Sequence, residues 1–277
     1  MYKAFNEKLE CREYQFEIGK TYEIEGDLIL CEKGFHFCRD MQNCFKYYDM
    51  RSRICEIKAE YIIDGDDKSV CRKITIVCEL SQKEIMDKIT DSVQAYRWAK
   101  EIGNQDVMID KITDSEYAYR WAISIGNRYV MINRVTDSLY SYVWALNIGD
   151  SYVMIDRVTD SYHAYLWAKN IGNPDVMIDR VNDSEPAYRW AKDIGNQEVM
   201  IDRVTDSKWA YQWAIDIGNH DVMIDRVTDS VYAYMWARYI GNKDVMIDLV
   251  TDSCSAYSWT KNIGNQEVMI DRVTNSY

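Results

Sequence analysis

Residues 91–113 read DSVQAYRWAKEIGNQDVMIDKIT, and residues 114–136 repeat the phrase as DSEYAYRWAISIGNRYVMINRVT. Further copies begin at Asp137, Asp160, Asp183, Asp206, Asp229 and Asp252, giving eight full copies of 23 residues. A ninth opens at Asn275 and stops at Tyr277, and Glu84–Thr90 reads as the second half of a copy. A fixed period of this length means stacked repeats, because one such unit cannot bury its apolar face alone.

Each copy reads as two short helices. Asp91 is a good N-cap, and Ala95, Trp98, Ala99 and Ile102 fall on one helical face. Gly103 then takes a left-handed C′ position, and Asn104 is expected to cap a second helix running to Ile112. That helix would bring Val107, Met108, Ile109 and Ile112 to the core. Pro174 at a first helical position and Pro186 in a first turn are both tolerated there. The competing reading is a leucine-rich-repeat horseshoe, with Val107–Asp110 as a strand, but its LxxLxL pattern and asparagine ladder are absent.

The expected architecture is therefore an α+β N-terminal domain (residues 1–80) followed by an all-α solenoid (residues 81–277) with two helices per repeat. Its core is the column Trp98, Trp121, Trp144, Trp167, Trp190, Trp213, Trp236 and Trp259, flanked by tyrosines from Tyr96 to Tyr257. The last copy has no polar capping helix, so end-to-end self-association or docking of a partner is expected there.

A binding face belongs to positions that vary between copies. With Asp91 as position one, these are three, four, seven, ten, eleven, fifteen and sixteen. Position seven holds Arg97, Arg120, Val143, Leu166, Arg189 and Met235 among others. Val143, Leu146 and Leu166, with Tyr140 and Tyr162, form a candidate apolar patch for a partner. Drift on a solvated face is the bland alternative. Position twenty is Asp in seven copies and position twenty-one mostly basic, which reads as an ion-pair ladder between repeats. The sharper reading is a row of carboxylates imitating nucleic-acid phosphates.

The formal net charge is −12, which argues against direct nucleic-acid binding. No apolar run is long enough for a membrane span, and Met1–Glu7 lacks the apolar stretch of a signal peptide, so a cytosolic protein is expected. Seven of the eight cysteines precede residue 80, with no CxxC pair, and are expected to be reduced. His36 and Cys38, near Cys31 and Cys44, lack the paired spacing of a zinc site and read as buried side chains. No catalytic motif, cofactor fingerprint or metal site is found.

In residues 1–80, Tyr14–Glu23 reads as two short strands turning at Gly19, Arg39–Tyr48 as a helix, and Arg53–Glu60 and Lys73–Cys78 as strands. Tyr2-Lys3-x-Phe5, Cys11-Arg12, Gln15-Phe16-Glu17-x-Gly19-Lys20-x-Tyr22, Cys31, Gly34-Phe35-His36-x-Cys38 and Tyr47-Tyr48 resemble an uncharacterised domain family of phage and other viral proteins. The resemblance implies a cap on a repeat array, of viral or prophage origin, with no established activity. The 23-residue unit is similar to the leucine-rich-repeat-variant class of helical solenoids in its opening Asp, mid-helix Ala and Asp/Glu-Val-Met. Gly34-Phe35-His36-Phe37, with the helix and strand after it, also resembles ADP-ribosyltransferase folds, although no complete His-Tyr-Glu set can be placed.

The expected function is a non-enzymatic protein–protein interaction scaffold that binds and inhibits a host (defence) protein. The alternatives are an acidic nucleic-acid mimic, or a nucleotide-binding or ADP-ribosyltransferase-like N-terminal domain.

Overall fold

The computed structural model describes residues 1–12 and 14–273; the partial copy at Asn275–Tyr277 lies outside them. The chain divides into two compact units, residues 1–136 and 137–277. The first holds a β-sheet and two repeats, the second the remaining six.

In the first unit the strands are β1 (Tyr2–Phe5), β2 (Glu10–Cys11), β3 (Tyr14–Gln15), β4 (Thr21–Glu23), β5 (Phe35–Phe37), β6 (Arg53–Ile63) and β7 (Ser69–Glu79). β6 and β7 form a long antiparallel hairpin across the Asp64–Asp67 turn, with a bulge at Glu56/Ile57. β1 pairs with the outer edge of β6, while β4 and β5 share the far edge of β7. Backbone bonds between Tyr2 and Cys38 join β1 back to the end of β5, so four strands close on themselves around an aromatic core. Phe5, Phe16, Phe35, Phe37, Ile57 and Ile74 fill that core.

Two expectations are corrected here. Tyr14–Glu23 does turn at Gly19, but its two strands do not pair with each other: β3 joins β2 and β4 joins β7. The buried Phe16 lies between them, against Phe5 and Phe35 at 5.1 and 5.9 Å, and this pulls the chain through the core. The segment from Arg39 to Tyr48 is helical only as a 3₁₀ helix, Met41–Lys46, capped by Asp40.

That 3₁₀ helix seats the sheet on the first repeat. Phe45 packs edge-on against Trp98, and Gln42 bonds the backbone and hydroxyl of Thr90. Arg97 donates to the Phe45 carbonyl at 2.9 Å. Helix α1 (Gln82–Lys88), opened by a Ser81/Glu84 capping box, supplies the half-repeat anticipated in Glu84–Thr90.

The repeats are built alike. In the copy beginning at Asp206, a helix Ser207–Asp216 is followed by one α-turn, His220–Met223, which tightens to 3₁₀ over Ile224–Arg226. The second helix is thus shorter than its apolar pattern implied. Only Met223 and Val227, with a marginal Ile224, are buried in it; Val222 faces solvent, as Val107 does in the first copy. The opening Asp accepts an amide hydrogen bond at position three or four in nearly every copy. Asp183 makes none, because Pro186 stands where the other copies offer that N–H.

Gly218 and Asn219 both have positive φ, 105° and 55°. Asn104 and its equivalents make no side-chain cap, contrary to expectation. Seven are asparagine and one is Asp150, the side chains that tolerate the left-handed region better than others. The eight tryptophans of the repeat column are 0–1% exposed; the ninth, Trp209, is only half-buried. No helix among the described residues is long and apolar enough to cross a membrane.

Candidate functional site

The charge on the repeat surface is sorted by depth. Within the second unit, Arg180, Arg203, Arg226 and Arg272 each send one guanidinium nitrogen to two carbonyls of the preceding copy. For Arg203 these are Ile178 and, at 2.7 Å, Val181. The arginines cap the carbonyl end of each 3₁₀ turn from within. Their second nitrogen lies 3.2–3.8 Å from the position-twenty carboxylate of that copy: Asp156, Asp179, Asp202 or Asp248. The ladder between repeats exists, but its halves are unequal. The arginine side chains are 20–26% exposed and the aspartates 82–87%. Position sixteen adds a second exposed carboxylate one helical turn away in five consecutive copies: Asp175, Glu198, Asp221, Asp244 and Glu267. Solvent on this side therefore meets carboxylates and half-exposed valines such as Val199 and Val245.

Positions ten and eleven vary for an internal reason. The position-six tyrosine hydroxyl reaches position eleven of the next copy. Tyr165 donates to Asp193 and Tyr188 to Asp216, with Lys169 and Lys192 joining each pair at 2.7 and 2.8 Å. Where position ten is Leu146, the next copy offers Asn170 to Tyr142 instead. In these three pairs lysine goes with aspartate and leucine with asparagine, so part of this variation tunes contacts between neighbours. The Lys192 ammonium, helped by Tyr188, holds Asp216 down at about 2.

The candidate partner residues scatter accordingly. Arg97 is half-buried and committed to Phe45. Arg120 and Arg189 pair with Glu116 and Glu185 of their own helices. Leu146 and Tyr162 are exposed, while Tyr140, Val143 and Leu166 are half-buried. Met235 lines a shallow groove of about 660 Å³ with Tyr211, Ile215 and Tyr239.

Sequence reasoning missed a cavity in the N-terminal domain. A cavity of about 960 Å³ opens between β1, β5 and the Tyr47-Tyr48 turn. Its lining includes Tyr2-Lys3, Cys11-Arg12, Gly34-Phe35-His36, Cys38 and Tyr47-Tyr48, most of the residues that carry the family resemblance. That convergence was the available signal. Gly34 is required at its edge: its φ is +128°, and a Cβ there would sit 2.3 Å from Val70. Lys68 lies 4.4 Å over the Tyr47 ring, whose hydroxyl bonds Asp67. The Cys38 and Cys44 thiols act on each other: the interaction pulls Cys38 down and, with burial, pushes Cys44 up. No group of three or more potential ligands that could hold a metal ion occurs among the described residues.

Burial, then the charges of Arg12, Lys3 and Lys68, hold the His36 imidazole at about 4. An unfolded histidine titrates near 6.5. Between about pH 6.5 and 4 the unfolded chain takes up a proton that the folded one refuses, so stability falls as pH drops through that window. Discounted for a partly solvated ring, the loss is about 1–2 kcal/mol. His36→Gln should remove it, read as a denaturation midpoint less sensitive to acid; an unchanged pH profile would show that His36 carries no such linkage.

Residues 1–88 match a family described as a domain of unknown function (DUF7666). No curated protein and no solved structure matches the chain.

Proposed function

We propose that the chain is a non-enzymatic interaction scaffold whose repeats hold a protein partner through their carboxylate face. The observation that carries this reading is the depth sorting of charge: the arginines are spent on carbonyls inside, and the aspartates beside them have little structural duty and full access to solvent. The complementary partner has a basic, extended surface.

The same observation favours the finer reading of nucleic-acid mimicry. Stacked helices about 8–10 Å apart with two carboxylates each place one charge per roughly 4–5 Å. One duplex strand offers a phosphate about every 3.4 Å along the axis. The partner surface would then be one that ordinarily holds phosphates. The resemblance of residues 1–80 to domains of phage and viral proteins makes a host protein, inhibited by occupation, our choice of partner.

The test is capture from bacterial lysate by the full chain and by a variant carrying Asp179→Asn, Asp202→Asn, Asp225→Asn and Asp248→Asn. The captured protein should elute between low and moderate salt, be displaced by duplex DNA, and bind the variant at least tenfold more weakly. Salt-insensitive capture that survives the four changes and is lost with Leu166→Asp would move the contact to the Val143–Leu146–Leu166 region.

A further inference from the structure

We propose that the N-terminal cavity binds a small phosphorylated ring compound, nucleotide-like in size and chemistry, with Lys3 as the group that contacts its anion. Lys3 is 4% exposed, yet its ammonium has only the His36 carbonyl at 2.7 Å and the faces of Phe5 and Phe16 at 5.6 and 5.8 Å. No carboxylate pairs with it among the described residues. A cation buried without a counter-ion is costly, and chains carry one where something else supplies the negative charge.

A second, independent observation lies on the same wall. The His36 ring nitrogen Nε2 is fully buried and has no hydrogen-bond partner, although His36 lines the cavity. Buried polar atoms in folded proteins are usually paired, and unlike the repeat indoles this one belongs to a residue that lines a cavity, where a small shift of the ring would present it to a ligand atom. The unpaired charge and the unpartnered nitrogen lie close together, because Lys3 bonds the backbone of His36.

The rest of the lining defines the ligand. Arg12, Lys33 and Lys68 add cations with no ion pair among the described residues, which suits one or two phosphates better than a carboxylate. Tyr14 and Phe35, rings 5.4 Å apart and edge to face, offer apolar surface for a planar group. Exposed Glu23, Glu25 and Glu32 also line the cavity and accept hydrogen bonds from hydroxyl or amino groups of the ligand. The volume is at the upper end of the roughly 300–1,000 Å³ usual for small-molecule sites.

The experiment is calorimetric titration of the full chain with AMP, ADP, GMP and GDP, with adenosine and inorganic phosphate as half-ligands. At least one nucleotide should bind, and both half-ligands at least tenfold more weakly. Lys3→Met should cut nucleotide affinity at least tenfold while the melting temperature of the ligand-free protein stays level or rises, because the change removes a buried unpaired charge. If Lys3→Met does not fold, Arg12→Gln on the exposed side of the cavity must lower affinity instead. Absence of binding by all four nucleotides at millimolar concentration overturns the proposal. So does a Lys3→Met protein that melts earlier and binds unchanged, since that is the signature of a structural lysine. Inorganic phosphate binding as tightly as any nucleotide removes the ring from the assignment.

Discussion

Trp190→Ala is expected to destabilise the second unit by about 3–5 kcal/mol, the largest effect of any single change in the repeats. The indole is fully buried with Ala187, Ala191, Met200 and Val204 of its own copy. Its removal leaves a void that a short helix pinned at both ends cannot fill. In a stacked array each copy contacts only its neighbours, so a broken interface uncouples the copies on either side. Thermal or urea melts followed by circular dichroism should lose a single sharp transition in favour of two. Trp190→Phe should be much milder, about 1–2 kcal/mol. The indole N–H of this and the other seven column tryptophans is buried without a partner, so phenylalanine gives up area but no hydrogen bond. A Trp190→Ala protein within about 0.5 kcal/mol of the parent would remove tryptophan from its place as the organising residue of the core.

Arg203→Met and Asp179→Asn touch the two halves of one ion pair, and their expected effects differ several-fold. Arg203→Met leaves the Ile178 and Val181 carbonyls without their donor and should cost about 2–4 kcal/mol. Asp179→Asn removes a carboxylate that is 87% exposed and 3.8 Å from the guanidinium. Its cost should lie within about 0.5 kcal/mol. Urea denaturation of the two variants measures the difference directly. Equal losses would mean that the ion pair, and not the carbonyl cap, fastens neighbouring copies. The carboxylates would then have a structural duty, and the argument for a binding face made of them would fail. If the asymmetry holds, the four-asparagine variant used to test partner binding is a fair one, because it keeps the fold and changes only the surface.

Much of the fold was legible because the chain states it eight times. The first helix, its Asp cap, the glycine at its end and the tryptophan face all depend on neighbours within a few turns, and the period shows which of them the stack needs. The second helix was legible only in outline. Three apolar residues in a row, Val107 to Ile109, with Ile112 beyond them, do not say which of them faces inward, and Val107 turned out to face solvent. The asparagine after every repeat glycine but Gly149, which Asp150 follows, looked like a cap by its type and serves by its backbone conformation instead. Variation at positions ten and eleven looked like a reading surface. In two copies it is a matched pair reaching 24 residues along the chain, as from Lys169 to Asp193.

By itself the sequence determined that tandem helical copies stack on tryptophan behind a small α+β cap, since those features follow from local periodicity and from apolar surface that one copy cannot hide. Only the tertiary structure decided which charges look outward and where a cavity opens. The Arg203 guanidinium finds its carbonyls 22 and 25 residues back. Lys3 meets His36 across 33 residues. Contacts of that reach are set by how copies and strands pack, and no pattern along the chain encodes the depth at which a side chain comes to rest.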